Sequence, residues 1–286
     1  MHIRDVELEA HRRTAVMAIV NRTADSFYDP RRGFALDGAL DLAATHLAEG
    51  ADIIDVGAVK GGPGPPVSVE EELDRVVGFV SAFRAHSAAP LSVDTFRAAV
   101  ARAALQAGAD MINDVSGLSE PELADAVAEH PQALLIVMHA GGQRRGRPFR
   151  TGYLPDVTTV VCDELRALVA EAGRCGVPAE RVVVDPGHDF GKNTYHSLEL
   201  TRRLPEIAAL GHPVLVALSQ KDFLGETLDL PVSERREASL AAAAVAVLLG
   251  AAIVRTHHTR ETVRAVRTVE AIAGRRHPAA PIRGLI

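Results

Sequence analysis

The sequence predicts an α/β fold, specifically a (β/α)8 TIM barrel. Two observations carry that expectation. Short apolar runs recur about eight times, and each stops at a polar residue. A helical periodicity follows nearly every run. Continuous Val, Ile and Leu fit strands buried on both faces, as in a parallel sheet. Polar residues delivered repeatedly at strand ends fit the face on which such barrels build their sites. The 286 residues suit a barrel of roughly 250 residues. No linker or composition shift interrupts them, so a single domain over 1–286 is expected.

The elements follow in order. AVMAIVN predicts a first strand ending at Asn21, and a helix is expected over 36–49. DIIDVG brings Asp55 to the second strand end, with a helix over 69–86. LSVDT ends at Asp94 before a helix over 96–107, and MINDVSG ends at Asn113 before one over 120–130. LLIVMH ends at His139 with a helix over 156–175, and VVVDPG ends at Asp185 with a helix over 194–210. VLVALS reaches Ser219 before a helix over 232–249, and AIVRTHH reaches Arg255 before one over 259–273. Gly108, Gly176, Gly211 and Gly250 stand just past helices, where a left-handed stop favours glycine. Two strand-to-helix loops are long, 22–35 and 57–68, the second with a GGPGPP core. Long loops on this face serve as lids or clamps; the plainer reading of the Gly/Pro string is a surface turn.

Composition narrows the function. Hydrophobic residues make up 47% and aromatics 4%, so the core must be built from Ala, Val, Leu and Ile. A formal net charge of −6 argues against a nucleic-acid binder, which needs a basic surface. Cys162 and Cys175 read as thiols of a reducing cytoplasm, not a disulfide framework. The N-terminus is too charged for a signal peptide. The most apolar stretch, 239–255, is broken by Gly250 and reads as core, not membrane.

The strand ends suggest chemistry. Asp94, Asn113 and Asp185 supply acceptors and an amide, a set suited to a flat heterocycle with a guanidine-like edge. Lys221 adds a donor on a flexible stem. Arg255 beside His257 forms a candidate phosphate clamp at the last strand. Asn21 could hold a hydrated Mg2+, which takes few protein ligands. Each position also has a structural reading as a helix cap, turn or loop fastener. His139, His188 and His258 read as hydrogen-bonding loop histidines. Adjacent histidines at 257 and 258 point apart, and no HxH follows the first strand, against a metallo-hydrolase.

With these residues in view, the sequence resembles the dihydropteroate synthase family of folate biosynthesis. The resemblance rests on MAIVNRTADSF from Met17, ADIIDVG from Ala51, SVDTFRAAVA from Ser92 and GADMINDVSG from Gly108. It continues through VMH from Val137, VVVDPGHDFGKN from Val182, ALSQKDFLG from Ala217 and VRTHH from Val254. It implies a barrel that joins dihydropterin-CH2-pyrophosphate to p-aminobenzoate and releases pyrophosphate. By position, Asp94, Asn113, Asp185 and Lys221 would hold the pterin. Arg255, His257 and Asn21 would hold pyrophosphate, with Asn21 on Mg2+. Asp25, on the first loop, and Lys221 would be the catalytic residues. A homodimer through the late helices is also implied, and the apolar stretch 239–249 invites one.

The departures are one-sided. The family's second loop reads Gly-Gly-Glu-Ser-Thr-Arg-Pro-Gly, and here it is Gly57-Ala58-Val59-Lys60-Gly61-Gly62-Pro63-Gly64. Its Ser-Arg-Lys-Ser is Ser219-Gln220-Lys221-Asp222, which loses a second arginine and puts an acid near the expected benzoate site. The first loop has Thr23-Ala24-Asp25-Ser26 where the family has Thr-Pro-Asp-Ser, and Arg-Val-His-Asp is Arg255-Thr256-His257-His258. The expected protein is a divergent second copy that keeps its pterin and pyrophosphate groups, with synthase activity weak or absent. A non-catalytic pterin- or phospholigand-binding barrel and a transferase with another acceptor are the alternatives.

Overall fold

A computed structural model of the chain describes residues 1–9, 12–22, 35–59, 66–120, 122–141 and 152–283. Eight strands form one parallel sheet: β3 (Ala15–Asn21), β4 (Ile53–Gly57), β5 (Leu91–Asp94), β6 (Met111–Asp114), β7 (Leu134–Met138), β8 (Val182–Asp185), β9 (Leu215–Val216) and β10 (Ile253–Thr256). Their order is β8-β7-β6-β5-β4-β3-β10-β9. The ring closes where Val184 bridges Val214 in parallel and the Val184 N–H donates to Pro213 O at 3.0 Å. Helices follow the strands, so the predicted barrel is observed.

Most predicted boundaries hold within two residues. Helices α1 (Leu36–Ala48), α2 (Val69–His86), α3 (Ala98–Gln106), α4 (Glu122–Ala128) and α5 (Val157–Arg174) match their expected ranges. Ser68 and Asp156 cap α2 and α5 by accepting from Glu71 N–H and Thr159 N–H. The helix expected over 194–210 is two, α6 (Thr194–Arg202) and α7 (Leu204–Ala208). Pro205 lies in the first turn of α7; it has no N–H to continue the ladder of α6. The run VLVALS yields only the two-residue β9. The sequence pattern also passes over α8 (Asp222–Leu228), which precedes α9 (Arg236–Leu248) and α10 (Thr259–Ile272).

A two-stranded hairpin is a further element that the sequence pattern does not announce. Strands β1 (His2–Ile3) and β2 (Val6–Glu7) pair antiparallel. Ile3, Val6 and Leu8 pack with Met17, Ile53, Met111, Val183 and Ile253 in the barrel interior. The hairpin therefore plugs the end of the barrel at which the strands begin. The charged pairs near that end are structural: Asp110 holds Arg4 and Arg84, and Asp52 holds Arg13 and Arg267. Among the described residues no helix is long and apolar enough to cross a membrane, and 239–255 does run from α9 into β10.

Candidate active site

Strand side chains alternate between the two faces of the sheet, and this sorts the barrel into layers. Val16, Ala18 and Val20, with Ile54, Val56, Leu91, Val93, Val182 and Val184, face the helices. Ala15, Met17, Ile53, Met111, Val183 and Ile253 face inward. Two or four residues further along, the same inward positions carry Asn21, Asp55, Asp94, Asn113, Asp185, Arg255 and His257. Register places Asn21 beside Gly57, Gly57 beside Asp94, and Asp94 beside Asn113. The barrel interior is thus apolar below and polar above, and the polar layer collects the residues expected from sequence. Gly57 keeps this layer tight, because a Cβ there would lie 3.2 Å from the Cβ of Asp94.

Arg255 organises the polar layer. Its Nε donates to Asp55 Oδ2 at 2.7 Å, and its Nη2 donates to Asp94 Oδ2 at 2.9 Å. Asn113 Nδ2 donates to the same Asp55 oxygen at 3.3 Å. Burial pushes the Asp94 carboxyl up to about 7, although Arg255 pulls it down. Burial also opposes the charge of Arg255, but Asp55 and Asp94 outweigh it and raise its pKa. Asp55 Oδ1, Asn113 Oδ1 and Ser92 Oγ are buried without a hydrogen-bond partner among the described residues. Buried unsatisfied atoms are rare and call for a water or a ligand.

Asp185 lies under the loop after β8. Its Oδ1 accepts from Gly187 N–H at 2.7 Å. Burial raises its pKa, while Gly187 N–H and the cations Lys221, Lys192 and Arg255 work the other way. Lys221 places its ammonium 4.4 Å from the ring centroid of Phe190, and burial lowers its pKa. His257 meets Ser219 twice: its N–H donates to the Oγ at 3.2 Å, and its Nδ1 lies 3.2 Å from that oxygen. With the hydroxyl proton on Nδ1, the ring proton belongs on Nε2. Burial and the nearby Arg255 push His257 down to about 3. At neutral pH it is therefore a donor but not a cation, so the charge of the expected clamp falls to Arg255 alone.

The other residues singled out by sequence divide. Asp25 lies outside the described residues, as do 23–34 of the first loop and 60–65 of the second. Asp222, expected to burden the benzoate site with negative charge, is exposed and paired to Arg235 Nη1 at 2.7 Å. Gln220 Nε2 meets His258 Nε2 at 2.8 Å. His188 is buried, with Nε2 at 3.1 Å from Thr201 Oγ1 and its ring stacked on Phe223. His139 is buried with Nε2 2.9 Å from Glu164 Oε2. Each of the three lies against a protein group, and His139 Nδ1 and His188 Nδ1 are buried without a hydrogen-bond partner among the described residues. Asp114 fastens its loop by accepting from Ser116 N–H and Leu118 N–H.

Sequence reasoning assigns no role to Asp55, although an apolar run stops there. Lys192 belongs to the VVVDPGHDFGKN segment that carries the resemblance but is given no role there; it is 1% exposed. Lys192 Nζ donates to the carbonyls of His139 at 3.1 Å, Gly187 at 2.8 Å and Phe190 at 2.8 Å. Burial drives its pKa down to about 7. The residue fastens the loop after β8 to the end of β7. No cluster of three His, Cys, Asp or Glu able to hold a metal occurs among the described residues. A hydrated Mg2+ does not need one, and the half-buried Asn21 at the tip of β3 offers an amide oxygen.

Comparison with known proteins agrees with the geometry. The pterin binding enzyme family matches residues 17–257. The chain is 46% identical over 277 residues to "Inactive dihydropteroate synthase 2" of Mycobacterium leprae, covering 96% of this chain and 95% of that protein. It is 40% identical over 268 residues to dihydropteroate synthase of Synechocystis sp., covering 91% of each. The Yersinia pestis dihydropteroate synthase in complex with a sulfonamide drug superposes with a TM-score of 0.89 at 35% identity, covering 96% of this chain and 99% of that one. The Xanthomonas albilineans enzyme in complex with 7,8-dihydropteroate gives a TM-score of 0.81 at 36% identity, covering 96% and 97%. A barrel whose inward strand ends carry these groups, with matches along nearly its whole length, belongs to the pterin binding enzyme family, within its dihydropteroate synthase group.

Proposed function

We propose that this protein is a divergent dihydropteroate synthase homologue that binds a pterin-type ligand and has weak or absent synthase activity. The observation that carries the reading is the buried cluster of Asp55, Asp94, Asn113 and Arg255, whose Asp55 Oδ1 and Asn113 Oδ1 lack partners among the described residues. Its acceptors match the N–H edge of a flat aminopyrimidine, and a carboxylate takes two parallel N–H bonds. Asp185 offers a further acceptor, and Lys221 a donor. Arg255 carries the positive charge for an anionic ligand group, and neutral His257 adds a hydrogen bond. Asn21 would hold Mg2+, which when bound would neutralise phosphate charge.

The second-substrate side supports the weak-activity half. Two arginines of the family are replaced here, by Gly62 and Gln220, and Gln220 is engaged with His258. Losing one preorganised donor to developing charge costs on the order of 10²–10³ in rate. The M. leprae relative is itself called inactive. Both cysteines are free thiols, in keeping with a reducing cytoplasm.

Calorimetry with dihydropterin pyrophosphate and Mg2+, followed by a turnover assay with p-aminobenzoate, tests the reading. Binding is expected, with turnover far below that of an active synthase. Asp185→Asn should weaken binding roughly tenfold or more, because a charge-assisted pair is lost in a buried setting. An unchanged dissociation constant would remove Asp185 from the site. No binding by the wild type in the millimolar range would reject the function. Turnover with a different amine would favour the transferase alternative.

A homodimer is part of the same proposal. Helix α9 buries Ser239, Ala243, Ala246 and Val247. Its outer face presents Ala241, with Val245 at 47% and Leu248 at 57% exposure. These positions fall on one helical stripe, and a twofold pair is the commonest cover for such a face. Leu249, at the end of the apolar stretch, packs against the core instead. Sedimentation at micromolar concentration should show twice 30.4 kDa, and Val245→Lys with Leu248→Lys should reduce it to one chain. A wild type that sediments as a monomer rejects the dimer.

A further inference from the structure

The loop after β8 does more than carry Asp185. Asp189 stands in the left-handed region with φ 67°, which few side chains other than Asp and Asn tolerate. That turn aims its carboxylate at α8, 33 residues further along the chain. Asp189 Oδ2 accepts from Asp222 N–H at 2.7 Å and lies 3.4 Å from Phe223 N. Lys221, the residue at the start of α8, has no side-chain cap of its own. Asp189 is therefore a helix cap supplied from another loop, with a negative charge at the favourable end of the helix.

The cap is itself held. Ser197, wholly buried on α6, donates its hydroxyl to Asp189 Oδ1 at 3.2 Å and accepts from Asp189 N–H at 3.1 Å. Phe190, the next residue, lies under the Lys221 ammonium. One dipeptide thus addresses both the backbone and the head of Lys221. Asp189 also leads the charges that hold up the lowered Lys221 pKa, ahead of Asp185 and Asp222.

We propose that Asp189 is a positioning residue that fixes Lys221 in the ligand pocket, tying the Asp185 loop to the start of α8. It acts through Lys221 and does not touch the ligand. This rests on the pterin-pocket reading for its binding readout, but not for its second one.

The test is a double-mutant cycle read by calorimetry with dihydropterin pyrophosphate and Mg2+. Asp189→Ala should weaken binding about fivefold to tenfold, the size of a lost cap passed on to the ligand. Asp189→Asn, which keeps the acceptor and the backbone conformation, should stay within about threefold. In a Lys221→Met background Asp189→Ala should change affinity by less than about twofold, since coupled residues do not add. An equal loss in both backgrounds overturns the proposal and makes Asp189 a general stabiliser.

The second readout needs no ligand. Lys60, Lys192 and Lys221 are the chain's three lysines, so ¹³C-methylated lysine signals are few, and Lys221→Arg assigns the one of interest. Asp185, Asp189, Asp222, Arg255, Lys192, His188 and His257 are the charged and titratable groups around it. The Lys221 titration midpoints of Asp189→Ala and Asp189→Asn should differ by more than about half a unit, an equilibrium shift of about threefold, because both variants lose the charge and only alanine loses the cap. Equal midpoints in the two variants overturn the proposal. If the wild type binds no pterin ligand while these midpoints differ, the functional reading fails and the positioning role stands.

Discussion

Arg255→Met should cost the fold about 3–5 kcal/mol near pH 8, the usual penalty for removing one partner of a buried ion pair. Arg255 holds Asp55, whose side chain is 0% exposed, at 2.7 Å, and Asp94 at 2.9 Å. Methionine would leave both carboxylates facing each other in the barrel interior. The loss should depend on pH with a definite sign. Burial raises Asp94 from 3.8 to about 7 in the folded protein. The folded state therefore holds the extra proton between those values, and the Asp94 contribution to stability falls as pH rises through that window. Arg255 pulls this pKa down, so its removal extends the window upward. The gap between wild type and variant should be widest above pH 7 and narrower at pH 5.5, where Asp94 is protonated in both. Urea unfolding at pH 8 and pH 5.5 measures it. A loss under about 1 kcal/mol at pH 8 would show that the pair does not carry the load assigned to it. A loss that stays constant on acidification would remove Asp94 from the account.

Gly187→Ala is expected to be nearly as damaging, for a reason of space. Gly187 has φ +65°, and a Cβ there would come under 3.0 Å from the His139 carbonyl oxygen. It would also meet the carbonyl carbon and Met138 Cγ at 3.1 Å. These neighbours are a strand end and a packed side chain, so the loop must move. Gly187 N–H holds Asp185, and Gly187 O accepts from Lys192. Movement therefore reaches the proposed pterin pocket. The expected cost is roughly 2–4 kcal/mol, backbone strain plus overpacking, together with a loss of pterin affinity like that of Asp185→Asn. Gly211→Ala is the control: φ is +87° but nothing lies within 4 Å of its Cβ. It should cost only the conformational share, about 1 kcal/mol. If thermal melts and calorimetry cannot tell the two variants apart, the close approach at His139 is not what requires glycine.

The barrel was legible because its strands are buried on both faces, which turns each into an uninterrupted apolar run that ends where polar chemistry begins. Asn21, Asp94, Asn113, Asp185 and Arg255 stood out for that reason, and the structure gathers their inward positions into one layer. The same uniformity hid the alternation within each strand. In AVMAIVN the helix-facing Val16, Ala18 and Val20 cannot be told from the inward Met17 and Ile19 until a polar residue breaks the run. Asp55 is hard to read in sequence for the same reason: it sits two residues inside β4, with Val56 after it. The hairpin at 2–7 and helix α8 leave little signal in the sequence because they are short. Propensity says little over two to seven residues, and it is packing against the barrel that defines them.

The alternating architecture, the family and the one-sided loss of arginines can be read along the chain, because they are local patterns of residue type. Which charges meet is set by the folded barrel. Arg255 finds Asp55 across 200 residues, Asp222 is answered by Arg235, and Asp189 caps a helix that begins 33 residues later. It also decided that His257 is neutral, since burial beside Arg255 sets its pKa. Electrostatic partners and proton positions depend on distance and burial, and in a barrel these are fixed by closing the ring, not by neighbours along the chain.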